Sequence, residues 1–429
     1  MTYLNPRMKE NQPTIQPLTQ FKTYPKNEEA NETYTSRTKL MKKGSRLVHQ
    51  MNLKYDSISY EFAQIQSKSL QTPLEKLKII NTLSLFFQEA DSQNHMILKN
   101  ISMKLKPLSS LQHIKLQFFY STWPSVQDVV HLASALAQMK LLKKLALDFI
   151  YSPWINDESL HLLFQSLKKH KHLQSLDLDL SNCLNITEKS FQYLASTFKR
   201  SLQSLKELRL KLTSVDFTKR SSLELLASGL TSIKDLQNLI IDFSQLEISE
   251  ETNFPSFMSS TKHLKSLRIL SMDFSSLPIT ETAFKNLATS FPSLIHLHTL
   301  FLYFQFNETL TVCEMEALAE GLQSLASSLK NLTLNLTYSQ NLDDQALEKL
   351  ADGLKGLTNL SDFRLQCSNC SYVGDAGVES VSCALGGLPN LESVILNFRG
   401  CCPIENIYCE DLKMKKNIKT LIFNYNKVY

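Results

Sequence analysis

The sequence predicts an α/β solenoid of about 12 to 13 strand–helix repeats, each about 31 residues long. The first observation is an apolar pattern, Leu-x-x-Leu-x-Leu-x-Phe, that recurs at this spacing. The second is a helical pattern of apolar residues after each copy. A fixed period of this length indicates stacked units rather than separate globular cores. The second apolar position falls at Leu83, Ile114, Leu145, Leu176, Leu208, Leu239, Leu270, Leu300, Leu332, Phe363, Val394 and Leu421.

The first half of each repeat is predicted to be a strand. Leu176, Leu178 and Leu180 alternate with polar residues, so their side chains lie on one face of a strand and the residues between them lie on the other. Consecutive strands are separated by a helix, which predicts a parallel sheet.

The second half of each repeat is predicted to be a helix. Leu347, Leu350 and Leu354 recur at three- and four-residue steps, and Asp343 stands where a side-chain oxygen can cap the first turn. Strands stack at about 4.8 Å and helices at about 8–10 Å, so the stack bends into a horseshoe with the strands on the concave side. The low glycine count, 10 in 429 residues, predicts loops with few positive-φ positions.

The N-terminal part of the chain differs from the repeats. Residues 1–45 are rich in Asn, Gln, Lys and Pro, which predicts a disordered polar and basic tail. Residues 46–429 form the predicted solenoid. Within it, residues 46–80 are interpreted as a degenerate capping repeat, because the apolar residues of 48–55 repeat the strand spacing 32 residues before Leu83.

The charge and the remaining composition restrict the function. The net charge of +5 lies in residues 1–73, and the rest of the chain is formally neutral. No apolar run is long enough to span a membrane and no signal peptide is evident, which predicts a cytoplasmic protein with reduced cysteines and no membrane partner. Phosphate-binding glycine loops, HExxH and GxSxG motifs are absent, so the sequence predicts neither catalysis nor a cofactor.

Cysteines cluster near the C-terminus. Cys367 and Cys370 have metal-ligand spacing, and Cys401 stands one repeat after Cys370. A single CxxC is a weak signal and buried cysteine behaves as a small hydrophobe, so no metal site is predicted.

The repeats resemble the ribonuclease-inhibitor-like class of leucine-rich repeat proteins, over roughly residues 46–429. The resemblance implies that the concave strand face binds partner proteins. The chain departs from the class where an Asn or Cys usually links neighbouring backbones, and hydroxyls are expected to replace that ladder. The residues at that position include Ser181, Thr213, Ser244, Ser275, Thr337 and Ser368.

The predicted partner site lies on the solvent-facing strand positions of the middle repeats. One row carries carboxylates at Asp148, Asp179, Asp242 and Asp273, and Asp177 stands beside it. Aligned carboxylates repel one another, so the row is interpreted as a docking strip for a basic partner segment, with a merely solvated polar face as the alternative.

An apolar group accompanies this strip. Ile240, Ile269, Phe301 and Tyr303 are expected on the same face, where apolar side chains rimmed by charge are typical of a binding site. The alternative is that they only cover neighbouring backbone.

The function predicted from these features is a non-catalytic scaffold for protein–protein interaction. One alternative is a regulator of an enzyme, such as a GTPase-activating or inhibitor-like repeat protein. Another is a tether to nucleic acid or an acidic surface through the basic residues of 37–46, although a nucleic-acid partner is not favoured. The last strand, 418–425, has a free edge that could pair with a second copy of the chain.

Overall fold

The computed structural model describes residues 57–63, 81–88, 97–119, 125–216, 220–246, 254–404 and 410–425. The predicted tail and its basic segment lie outside these residues, as does most of the predicted capping repeat. Within residues 51–429, the described elements form one continuous stack.

The described residues contain thirteen strands in one open parallel sheet, and the order of the strands in the sheet is their order in the chain. The strands are β1 (Ser57–Ala63), β2 (Thr82–Gln88), β3 (His113–Phe119), β4 (Lys144–Asp148), β5 (Ser175–Asp179), β6 (Glu207–Lys211), β7 (Asn238–Asp242), β8 (Ile269–Asp273), β9 (Thr299–Tyr303), β10 (Asn331–Asn335), β11 (Asp362–Gln366), β12 (Ser393–Phe398) and β13 (Thr420–Tyr425).

Helices alternate with the strands from β2 onward. They are α1 (Ile97–Leu105), α2 (Val126–Leu136), α3 (Asp157–Leu167), α4 (Glu188–Arg200), α5 (Arg220–Leu230), α6 (Phe254–Ser260), α7 (Glu281–Ala288), α8 (Val312–Gln323), α9 (Asp344–Leu354), α10 (Asp375–Gly386) and α11 (Glu410–Met414). Short 3-10 helices follow α6 (Thr261–His263) and α7 (Phe291–Ser293). The fold is a leucine-rich repeat solenoid.

The register confirms the predicted repeat. Each second apolar position pairs with the equivalent residue of the next strand without interruption from Leu83 to Leu421. The first unit differs, because Ile58 rather than Met51 stands opposite Leu83. The residue opposite Leu83 is therefore seven residues later in the chain than the repeat spacing predicted, and it belongs to the alternating apolar residues of β1. Residues 48–55 lie outside the described part of the chain, and the capping role stays a prediction.

Aromatic side chains form a spine between the sheet and the helices. Phe243, Phe274 and Phe304 are buried at the fourth apolar position, and their rings stack with centroid distances of 5.8 and 5.5 Å. Phe118 and Phe149 stack in the same way at 5.6 Å. These contacts join each repeat to the next through the core.

The side-chain ladder between repeats lies two residues later than predicted. The thiol of Cys183 donates to the backbone carbonyl of Phe149 in the preceding repeat, with the sulfur 3.2 Å from the oxygen. Equivalent bonds are made by Ser152, Ser339, Cys370 and Cys401. At the predicted position, the described hydrogen bonds include one hydroxyl link between repeats, Thr213 to Ser244 at 3.2 Å. The hydroxyl ladder was therefore wrong for most repeats, and the role of Cys370 and Cys401 is structural.

The turn after each strand has positive φ, contrary to the expectation drawn from the glycine count. Eight non-glycine residues from Tyr151 to Asn369, one per repeat, have φ between 54° and 62°. Each donates its backbone N–H to the next repeat, as Tyr151 does to the carbonyl of Ser181 at 3.0 Å. The inter-repeat hydrogen bond offsets a conformational cost of roughly 1–2 kcal/mol per residue.

Glycine is needed where helices approach one another. A Cβ at Gly353 would lie 2.5 Å from the Cα of Ala319, and one at Gly229 would lie 2.8 Å from the Cα of Ala195. Any larger residue would push the helices apart. This explains the presence of glycine at these two positions near the helix ends.

Candidate functional site

The nine predicted site residues all lie on the solvent-facing side of the sheet, here named the strand face. Asp148 pairs with Asp179, and Asp273 stands between Asp242 and Tyr303 in the same row. In the neighbouring rows, Asp177 and Ile240 flank Arg209, Ile269 pairs with Thr299, and Phe301 lies one strand beyond Ser271. The predicted proximity of charged and apolar residues is therefore present.

The row of aspartates also has a structural role that the sequence interpretation missed. Each carboxylate accepts a hydrogen bond from the backbone N–H two residues later, as Asp242 does from Ser244 at 2.9 Å and Asp273 from Ser275 at 2.9 Å. Asn335 makes the same contact in β10. The side chains close Asx turns at the strand ends, so the turn alone explains an Asp or Asn at this position but does not require a negative charge.

The first part of the row is neutralised within the protein. Asp179 forms an ion pair with Lys211, with 3.0 Å between oxygen and nitrogen, and Asp177 approaches Arg209 at 3.9 Å. Burial raises the pKa of Asp177. Burial also lowers the pKa of Lys211, but the neighbouring carboxylates, chiefly Asp179, together raise it by more, so the pKa of Lys211 lies above its ordinary value. These charges already satisfy one another.

Asp148 lies at the beginning of the row. It accepts a hydrogen bond from the amide of Gln117 at 3.0 Å. Burial raises its pKa, and the hydrogen bond from Gln117 limits that rise. Asp148 is thus also occupied by internal contacts.

Asp242 and Asp273 differ from the other carboxylates. They are direct neighbours on β7 and β8, and no described Lys or Arg pairs with either. Burial, followed by the charge of Asp242, raises the pKa of Asp273 to about 6. Oδ1 of each carboxylate accepts the serine contacts of its turn. This pair can accept hydrogen bonds from an external cation.

Apolar side chains border the pair. Ile240 and Ile269 are half-buried on the same two strands as the carboxylates, and Phe301 and Tyr303 are half-buried on β9. We name these four residues, with Asp242 and Asp273, the acidic–aromatic patch. It offers two carboxylate oxygens beside aromatic faces, which suits a cationic side chain with an apolar stem.

No cluster of three or more metal-ligating side chains occurs among the described residues. Burial raises the pKa of Cys183 to about 12, and contacts among the buried thiols, Cys367 with Cys370 and Cys370 with Cys401, contribute to raised pKa values of Cys370 and Cys401. These thiols stay protonated near neutral pH, consistent with their bonds to backbone carbonyls.

Comparisons with known proteins give structural neighbours only. No family model and no curated protein matches the chain. It is similar to an internalin from Listeria monocytogenes, with 16% identity over 83% of this chain and 77% of that chain and a TM-score of 0.43. It is also similar to a structure of the Rad7 and Elc1 complex in yeast, with 16% identity over 83% of this chain and 88% of that chain and a TM-score of 0.44. Both similarities concern the fold alone.

Proposed function

We propose that the protein is a non-catalytic scaffold that binds a basic segment of a partner protein at the acidic–aromatic patch. The observation that supports this most directly is the pair of adjacent carboxylates, Asp242 and Asp273, neither of which forms an ion pair with a described Lys or Arg. Lys211 is the neighbour of Asp242 on β6, but it pairs with Asp179. Keeping two like charges side by side is unfavourable, so binding a cation there relieves repulsion as well as forming new contacts.

The surroundings define what the partner would present. A Lys or Arg side chain that reaches the two carboxylates would lay its stem across Tyr303 and Phe301. Contact of a cation with an aromatic face contributes about 0.5–2 kcal/mol, depending on solvent exposure. Ile240 and Ile269 would receive an apolar residue next to the basic one. The partner segment is therefore expected to be basic and apolar rather than uniformly charged.

The test is affinity capture with wild-type protein and the double variant Asp242→Asn/Asp273→Asn. Asparagine keeps the turn hydrogen bonds, as Asn335 does, while removing the charges. We expect partners with basic segments to be lost by the double variant and retained by the control Gln366→Ala, which lies in the same row on β11. An unchanged set of partners would reject the patch as the binding site.

The two alternative functions, an enzyme regulator and a tether to nucleic acid or an acidic surface, remain hypotheses. No feature of the described residues favours an enzyme regulator, and the basic segment 37–46 lies outside them. Cytoplasmic location is part of the proposal, and no disulfide joins the seven described cysteines. None of the described helices has the length and apolar character needed to cross a membrane.

A second copy of the chain is proposed as an additional partner through β13. This strand is at the edge of the sheet, and its residue Ile422 is 43% exposed. Unpaired strand edges readily pair with another strand. Light scattering over a range of concentrations is expected to show a dimer that Ile422→Lys converts to a monomer, whereas a wild-type monomer at high concentration would contradict the proposal.

A further inference from the structure

The charges of the repeats are separated onto two edges of the stack. The last helix residues and the loops that lead into β3 to β8 form one edge, here named the basic edge. It comprises residues 106–112, 138–143, 168–174, 199–206, 231–237 and 262–268, which contain eleven Lys, two Arg and a single acidic residue, Asp235. The repeats are formally neutral as a whole, but this edge of the stack is strongly positive.

The opposite edge has the reverse composition. The described connections from strand to helix at 149–158, 180–188, 212–216, 274–281, 304–314, 336–344 and 367–375 contain ten Asp and Glu and no Lys or Arg. Two arginines also lie at this edge, Arg220 at the start of α5 and Arg399 after β12. Because all the helices run in the same direction, their N-termini lie at this acidic edge and their C-termini at the basic edge.

Helix dipoles explain only part of this separation. Basic residues are favourable within the last turn of a helix, but Lys143, Lys171, Lys206 and Arg268 lie beyond the helices, directly before or close to the strands. Furthermore, the next four helix-to-strand connections, 289–298, 324–330, 355–361 and 386–392, follow equally oriented helices and contain two Lys and one Glu. The density of cations from residue 106 to residue 268 thus needs another reason.

The cations of the basic edge are available to a ligand. Lys140, Lys143, Lys171 and Lys206 are exposed, and no cation of the edge forms an ion pair with another described residue. Lys199 donates a hydrogen bond to the hydroxyl of Ser228, which leaves its charge uncompensated. Like charges at this density repel one another, and an extended anionic surface would neutralise them together.

Two features of the edge distinguish among anionic ligands. It contains no Phe, Tyr or Trp on which nucleobases could stack, and lysine outnumbers arginine, so it lacks the usual features of nucleic-acid recognition. At the N-terminal end, a shallow open depression of about 700 Å³ is lined by Lys106, Ser109, Gln138, Lys140 and Leu141. Leu141 is 55% exposed between lysines. An exposed leucine within a row of lysines suits the interface of a lipid bilayer.

We propose that the basic edge binds the surface of an anionic membrane peripherally, with the lysines at the phosphate and carboxylate headgroups and Leu141 at the headgroup–acyl boundary. Loops at one edge of parallel repeats can contact an extended surface simultaneously, which adds the attraction of several lysines. The sequence predicted no membrane partner because it lacks a spanning segment, but peripheral binding does not need one. The strand face plays no part in this contact.

The test is co-sedimentation of the full chain with vesicles of phosphatidylcholine alone and of phosphatidylcholine mixed with phosphatidylserine. We expect binding to the mixed vesicles only, with a steep decrease as salt concentration rises. Lys140→Glu/Lys171→Glu should weaken it by about tenfold or more. Lys330→Glu/Lys355→Glu makes the same charge change in loops outside the basic edge and should have little effect. Circular dichroism verifies that each variant is folded.

Further binding measurements distinguish a membrane ligand from other polyanions. Leu141→Ser removes no charge and should weaken vesicle binding but not binding to a DNA duplex or to poly-glutamate. The proposal is overturned if wild-type protein ignores the mixed vesicles, if the two double variants behave alike, or if DNA or poly-glutamate binds more tightly than the vesicles and Leu141→Ser has no effect. Asp242→Asn/Asp273→Asn should leave vesicle binding unchanged, so the two proposals can fail separately.

Discussion

Phe274→Ala is expected to lower the free energy of unfolding by about 3–5 kcal/mol. The ring of Phe274 is fully buried and stacks on Phe243 at 5.8 Å and on Phe304 at 5.5 Å. Phe254 packs edge-on against it at 6.0 Å. The substitution therefore removes contacts with the repeats on both sides of β8 and leaves a cavity that the rigid sheet cannot close.

The form of the unfolding transition should change as well. In a solenoid each repeat contacts only its neighbours, so cooperativity passes through every interface in turn. Weakening the interfaces on both sides of β8 should separate unfolding of the repeats before it from unfolding of those after it. Urea denaturation followed by hydrogen exchange can detect this as earlier loss of amide protection near β8 and a broader transition.

A matched control is Phe306→Ala. Phe306 is 54% exposed and stacks on Tyr338 at 4.7 Å outside the core. Its removal should change the free energy of unfolding by less than about 1 kcal/mol. Equal destabilisation by the two variants would show that the phenylalanine spine does not hold the repeats together.

The repeat restricts which side chains of each strand can face the core. A burial pattern repeated every 31 or so residues determines which side chains face the core, because a one-residue slip would reverse every strand. The register from Leu83 to Leu421 and the position of Asp242 beside Asp273 were therefore predictable. The register of β1 was not, since Ile58 has no preceding repeat to restrict it.

Features that depend on hydrogen bonds between repeats were harder to predict from the sequence. Cys183 reaches back to a carbonyl 34 residues earlier, and the turn that carries it there includes the positive φ of Asn182. Neither the hydrogen-bond acceptor nor the backbone conformation is encoded by hydrophobicity. The separation of charge was readable from the sequence, but only after each charge was assigned to a helix-to-strand or a strand-to-helix loop, rather than summed over the repeats.

Asp273→Asn is expected to stabilise the protein by about 3 kcal/mol above pH 7. The pKa of Asp273 is raised from 3.8 to about 6, so the folded chain holds this proton more tightly than the unfolded chain does. Stability therefore decreases as the pH rises from about 4 to about 6, and the loss persists at higher pH. Asparagine removes this dependence and keeps an oxygen that accepts from Ser275, as Asn335 does from Thr337.

Urea denaturation of both proteins at several pH values tests this. The stability gain should be full at pH 8, should diminish through pH 6 and 5, and should be absent near pH 3, where Asp273 is protonated in both states. Asp179→Asn is the control of opposite sign, because it breaks the ion pair with Lys211. A gain from Asp273→Asn that does not vary with pH would contradict the assignment to charge.

A variant that is more stable yet binds basic partners less tightly would show that the carboxylate pair is kept for binding rather than for folding.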